Sequence, residues 1–258
     1  MKFLYLVLLL FSSLAATAQS TKTVTASLGY AYHTVKEQRY TSKYRDGTGF
    51  SIDLGYESAN ERVIHRINVA YKSSTSGADL PSSTNNQWAE IQYDYLRTTK
   101  QVKGLYLGGY IGTGIIYTER DGPWNDNNII SYTQWLSLGV SSRWNRRLWN
   151  KPWMTQLRLP LLSYRTRPSY GSGFPDAFLQ PGTFSWREEG LIGAGLRSGR
   201  IGSLNEFTKI EFSSDLFFSI GKKGWHFGTG YQFIGIFTGD EKPLSLFHHT
   251  IRLIVRRL

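Results

Sequence analysis

The chain has 258 residues with no Cys, 8 Trp, 16 Tyr, 14 Phe and 26 Gly, and a mean hydropathy of −0.33. These values exclude a bundle of membrane helices, which needs several apolar runs of about 20 residues, and the lack of Cys excludes disulfides and thiol catalysis. Lys and Arg number 30 against 19 Asp and Glu, a net charge of +11, but no compact basic reading element accompanies the excess, so nucleic acid is not an expected partner.

The first element is the only long apolar run. Lys2 supplies a positive end, Phe3 to Phe11 an apolar core, and Ala16-Thr17-Ala18 a small-residue cleavage site. Nine apolar residues are too few to cross about 30 Å of hydrocarbon as a helix. The pattern predicts a signal peptide over 1–18, cleaved after Ala18, and a mature chain of 19–258.

From there onward the apolar period is two, the period of strands, in which successive side chains point to opposite faces. The first segment reads Val24, Ala26, Leu28, Tyr30, Tyr32. The next two read Phe50, Ile52, Leu54, Tyr56 and Val63, His65, Ile67, Val69, Tyr71. Then come Ala89, Ile91, Tyr93, Tyr95, followed by Leu105, Leu107, Gly109, Ile111, Thr113, Ile115, Tyr117. The sixth is Tyr132, Gln134, Leu136, Leu138, Val140 with Trp144 beyond, and the seventh Trp153, Thr155, Leu157, Leu159, Leu161. Phe212 to Ile220 and Trp225 to Phe237 form a hairpin around a Gly-Lys-Lys-Gly turn, and Phe247 to Val255 is the tenth segment.

The connections alternate in length. Long polar stretches (33–49, 73–86, 118–129, 165–206) take turns with short ones (57–62, 98–103, 145–152, 221–224). Tyr56, Tyr95, Trp144, Trp153 and Trp225 fall beside the short turns, while Tyr32, Tyr71, Tyr117, Tyr132 and Phe237 fall beside the long loops. Two girdles of rings flanking an aliphatic band are what the two interfaces of a membrane favour. The apolar parity is therefore expected to face lipid.

In these features the sequence resembles the small outer-membrane β-barrel proteins of Gram-negative bacteria, over the whole mature chain. The resemblance implies an all-β fold: a transmembrane, antiparallel, up-and-down barrel of about ten strands, or twelve if part of 165–206 pairs. It implies export to the outer membrane and insertion by the barrel assembly machinery. It also implies outer-membrane lipid and lipopolysaccharide as surroundings, with the long connections outside the cell.

If one parity faces lipid, the other faces the lumen. Its carboxylates are Asp53, Glu90, Asp94, Glu211 and Asp215, and its bases are Arg66, Lys72, Arg143, Arg158, Lys209 and Arg252. Buried charge of one sign is costly and interleaved charge can pair, so this near-balance predicts an ion-pair network in the lumen. The positive excess then belongs to loops, turns and tail. Gly108, Gly112, Gly114, Gly228 and Gly230 share the inward parity. They are expected to make room for long Arg and Lys side chains, with a wider passage as the functional alternative.

No constellation reaches catalytic geometry. Ser214 and His249 are both outward, but a strand intervenes; His65 lies near the turn-side girdle with no matching Ser. His248 and His249 point to opposite faces, a poor metal pair. Asp94 and Asp215 resemble the acid pair of an omptin-type protease but lack a partner His at the rim. No cofactor or metal is expected. The stretch 165–206 is too long for an ordinary connection, and Phe184 and Trp186 are its candidate recognition anchors. Ile192, Ala194 and Leu196 mark a possible added strand within it. The leading expectation is a non-catalytic structural or binding component acting through its loops. A channel for small, anionic solutes comes second and an outer-membrane enzyme such as a lipid hydrolase third.

Overall fold

The computed structural model describes residues 20–37, 44–77, 83–120, 129–166, 171–172, 200–204, 206–220, 224–239 and 243–257. In chain order the strands are β1 (Thr21–Glu37), β2 (Arg45–Ala59), β3 (Val63–Ser76), β4 (Thr84–Thr98), β5 (Leu105–Arg120) and β6 (Ile129–Leu148). They continue as β7 (Lys151–Thr166), β8 (Gly171–Ser172), β9 (Arg200–Gly202), β10 (Phe207–Ile220), β11 (Trp225–Thr238) and β12 (Leu244–Arg257). Each long strand pairs antiparallel with the next long strand, and β1 pairs with β12 from Val24–Arg257 to Glu37–Leu244, which closes the sheet. The result is a barrel of ten strands.

The period-two pattern is why these residues form these strands. Along β4, Trp88, Glu90, Gln92, Asp94 and Leu96 are buried, whereas Ala89, Ile91 and Tyr95 are exposed. Around the ring, Leu28, Ile52, Val69, Ile91, Leu107, Leu138, Phe227 and Ile251 are likewise exposed, while Asp53, Lys72, Asp94, Arg158 and Glu211 are buried. Apolar outside and charged inside is the inverse of a water-soluble protein, and it fits a wall solvated by lipid.

One end carries the short connections and the start and finish of the barrel; it is called here the turn end. At this end the Asn60 carboxamide oxygen accepts the backbone N–H groups of Arg62 (2.9 Å) and Val63 (2.7 Å), turning β2 into β3. Trp149 and Asn150, with φ of 49° and 60°, form the two-residue link of β6 and β7, the left-handed pair that matches strand twist in a tight hairpin. The opposite, loop end carries the longer connections.

The wall is not uniform. The β7–β10 ladder has six pairs, Trp153–Leu216 through Arg158–Glu211, against fourteen for β1–β12. Beyond it Leu138 pairs with Leu162 and Gly139 with Pro160, so Leu161 is bulged out of register. Pro160 has no N–H to donate, and sheets tolerate Pro at such irregularities. The bulge reverses the parity of β7: Pro160 is inward before it, Ser163 and Arg165 after it. Above the bulge, β9 pairs with β7 in the slot that β10 leaves (Ser163–Gly202, Arg165–Arg200). Among its described residues the stretch 165–206 adds two short pieces beside the ring, and its first two residues belong to β7. Phe184, Trp186 and the Ile192–Leu196 alternation lie outside the described residues.

Candidate functional site

The barrel interior is the place where these strands bring chemistry-bearing side chains together, and it is layered along the axis. At mid-height Arg158 on β7 is the hub. Its Nε and Nη2 donate to Asp94 on β4 at 2.9 and 2.6 Å, and its Nη1 donates to Glu211 on β10 at 2.7 Å. Glu211 also accepts from Gln92 (2.7 Å) and Gln232 (2.9 Å). Lys209 pairs with Glu90 and stands 3.4 Å from Glu211. The Arg158–Asp94, Lys209–Glu90 and Gln92–Glu211 contacts cross the lumen, whereas Arg158–Glu211 and Gln232–Glu211 join neighbouring strands along the wall. A two-pronged guanidinium–carboxylate pair with its remaining valences filled is the geometry that best offsets the desolvation of buried charge.

Beside the hub, Arg252 donates to Asp215 at 2.6 Å. Lys72 stands 3.8 Å from Asp53, which also accepts from Ser27 at 3.1 Å. Arg66 is inward, but its hydrogen bond goes to neutral Gln156 at 2.8 Å, not to a carboxylate. Nearer the turn end Arg143 pairs with Glu57, which Arg256 approaches at 3.4 Å. Glu57 and Arg256 lie at strand ends, beyond the last apolar residues of their segments, Tyr56 and Val255, so the apolar alternation does not mark them. A recess lined by Asp53, Glu57, Arg66, Asp215, Arg252 and Arg256 lies between these pairs.

The loop-side half of the lumen holds an apolar cluster among buried polar side chains such as His33, Asn86, Thr118 and His248. Val35, Trp88, Ile116, Trp135, Phe207, Ile234, Ile236, Leu244 and Leu246 form one buried cluster, each at most 5% exposed. Trp88 meets Trp135 edge-on with centroids 5.9 Å apart, and Trp135 stacks on Phe207 at 6.0 Å. Lys209 lies 5.5 Å from the Trp88 ring centre, joining the two layers. Beside the ion-pair network, then, the interior holds an aromatic layer on its loop side. The signal was present: Trp88 and Trp135 sit on the inward parity of segments whose outward parity is apolar.

The inward glycines make room for their neighbours rather than for a passage. A Cβ on Gly114 would meet the Trp135 indole at 2.5 Å, and one on Gly228 the Phe217 ring at 2.9 Å. Gly230 lies against the Asp215 carboxylate, and Gly112 against Gln92 at 3.3 Å and Tyr110 at 3.5 Å. Rings, a carboxylate and the Gln92 side chain, not long Arg and Lys side chains, take the space at these four, and the Tyr95 backbone takes it at Gly108.

On the outer wall each candidate nucleophile or base is engaged elsewhere. Ser214 accepts from the Trp153 indole N–H at 2.8 Å. His249 bonds the Tyr231 hydroxyl at 2.7 Å, and His65 that of Tyr93 at 2.8 Å. Asp94 and Asp215 are committed to Arg158 and Arg252. Among the described residues no group of three or more His, Cys, Asp or Glu is placed to hold a metal ion.

The model of one protein family, described as "Outer membrane protein beta-barrel domain", matches residues 3–149. No curated protein matches the sequence. Among solved structures, the translocator domain of the autotransporter NalP from Neisseria meningitidis aligns with a TM-score of 0.53 at 9% identity, over 96% of this chain and 91% of that one. The outer membrane protease OmpT from Escherichia coli aligns at 0.48 and 6% identity, over 94% and 99%. Ail, the attachment invasion locus protein of Yersinia pestis, aligns at 0.38 and 10% identity, over 91% and 97%. At such identities the likeness is one of fold.

Proposed function

The chain belongs to the outer membrane protein beta-barrel family, and from that premise we propose that it is a closed, non-catalytic barrel serving as a structural or binding component through its loops. In this reading the chain is exported with cleavage after Ala18 and inserted by the barrel assembly machinery. The loop end, with the stretch 165–206, faces outward among lipopolysaccharide, and the turn end faces the periplasm. One observation carries the reading: two successive layers cross the lumen, the Asp94–Arg158–Glu211 network and the Trp88–Trp135–Phe207 cluster. A charged layer alone still passes water, and an aromatic layer alone is a removable lid. Stacked, they are expected to leave no continuous water path, and a small barrel filled by side chains has no need of one.

Planar-bilayer recording tests this. The unmodified protein is expected to show no steady conductance. Large, stable, anion-selective steps would replace the reading with a channel for small anionic solutes.

A further inference from the structure

We propose that the turn end carries a belt that binds anionic phospholipid headgroups, formed by Lys22, Arg97, Arg146, Lys151 and Arg257. The assignment rests on the orientation above, in which this end meets the inner leaflet, but not on whether the lumen conducts. All five side chains are exposed. Each also lies on the outward parity of its strand, two residues beyond Val24, Tyr95, Trp144, Trp153 and Val255 respectively. They therefore point sideways into the membrane interface, not along the axis into the periplasm.

Girdle rings hold three of them at that depth. The Arg146 guanidinium sits 3.6 Å above the Trp144 ring centre, Arg257 5.4 Å from that of Trp225, and Lys151 5.9 Å from that of Phe218. A cation laid on a ring keeps its N–H groups available while its stem covers apolar surface. None of the five forms an ion pair with a described carboxylate. Trp149, 80% exposed at the tip of the hairpin that carries Arg146 and Lys151, adds an amphipathic ring of the kind enriched at interfaces.

The charge is one-ended. Arg62, Lys100, Lys103 and Arg147 add exposed bases in or beside the turns, and Glu61 is the sole exposed acid at this end among the described residues. At the loop end, Lys36, Arg45 and Arg200 are offset by Asp46, Glu119 and Glu206. A ring of outward bases with no acidic counterpart fits a layer of phosphate groups in the membrane plane. A soluble polyanion or a peptide would need bases gathered at the axial mouth.

Native mass spectrometry on the full-length mature protein, released from bilayers of equal phosphatidylglycerol and phosphatidylcholine, tests the proposal. The unmodified protein is expected to retain phosphatidylglycerol preferentially. In R146Q/K151Q/R257Q the preference should fall at least about fivefold, since each base near an anionic leaflet is worth roughly that factor. K36Q/R200Q, at the other end, should leave it unchanged. Excess inorganic phosphate should not displace the lipid, because the belt holds a headgroup anchored in the bilayer, and displacement would make the site one for free phosphate. If the triple variant does not fold, the unmodified protein decides: its preference must collapse in high salt. Equal retention of both lipids, or a preference indifferent to salt or to the triple substitution, overturns the proposal.

Discussion

Arg158 and Asp94 meet through two parallel hydrogen bonds, Nε to Oδ1 at 2.9 Å and Nη2 to Oδ2 at 2.6 Å, although β5 and β6 separate their strands on the wall. The pair spans the lumen, so it ties non-adjacent staves of the barrel in a way that no ladder bond does. Removing one partner leaves the other charged and buried. R158A, which strands Asp94 and takes one of its partners from Glu211, is expected to lower stability by about 3–5 kcal/mol. Replacing both members, D94L/R158L, should recover much of that loss. Urea titration in detergent, followed by the gel mobility difference expected between unheated folded and boiled protein, reads both values. Equal losses for single and double variants would mean that the pair is not the unit of stability.

The aromatic layer changes what a leak requires. With ion pairs alone, E90A would be enough to open a water path. If Trp88 and Trp135 seal the lumen above Glu90, as the proposed closed barrel requires, E90A alone is expected to stay silent in a planar bilayer, and W88A/W135A/E90A to conduct. The folded band should also weaken in W135A, by about 3–5 kcal/mol for the loss of a large buried ring. Conductance from E90A by itself would show that the cluster does not seal.

The β7–β10 seam is the weak line of the wall. Its ladder stops at Arg158–Glu211, and the Leu161 bulge follows. Opening free energy tracks the local density of hydrogen bonds and contacts. Amide hydrogen exchange is expected to be faster at 159–162 and 207–210 than at the β1–β12 seam. Uniform protection around the ring would contradict this.

Two glycines should respond oppositely to alanine. A methyl at Gly230 displaces the Asp215 carboxylate that holds Arg252, and G230A is expected to cost about 1–3 kcal/mol. Gly109 faces lipid, and its nearest obstruction is the Gly139 carbonyl at 3.4 Å. G109A should be neutral, or stabilising by roughly 0.5–1 kcal/mol through reduced backbone freedom in the unfolded chain. A melt of both variants by the same gel assay separates the two cases.

The class of fold was legible in the residues because strand parity is local. Once Leu28, Ile91 and Ile251 face lipid, the pleat turns Asp94, Arg158 and Arg252 inward whatever else the chain does. The alternation of long and short connections, together with the sorted aromatics, narrowed the staves to ten or twelve, and ring closure settled ten. Partnership was not legible. Which acid meets Arg158, and why Arg66 ends on Gln156 and not on a carboxylate, depends on ring closure and stagger, which set each inward side chain's height along the axis. The same closure gathers Val35, Trp88, Trp135, Phe207 and Leu246, drawn from distant parts of the chain, into one apolar layer that no single strand announces. Leu161 shows the limit from the other side. Its apolar character continues the outward pattern without a break, yet the register slips there because Pro160 has no N–H to donate, and a bulge is a property of two strands, not of one.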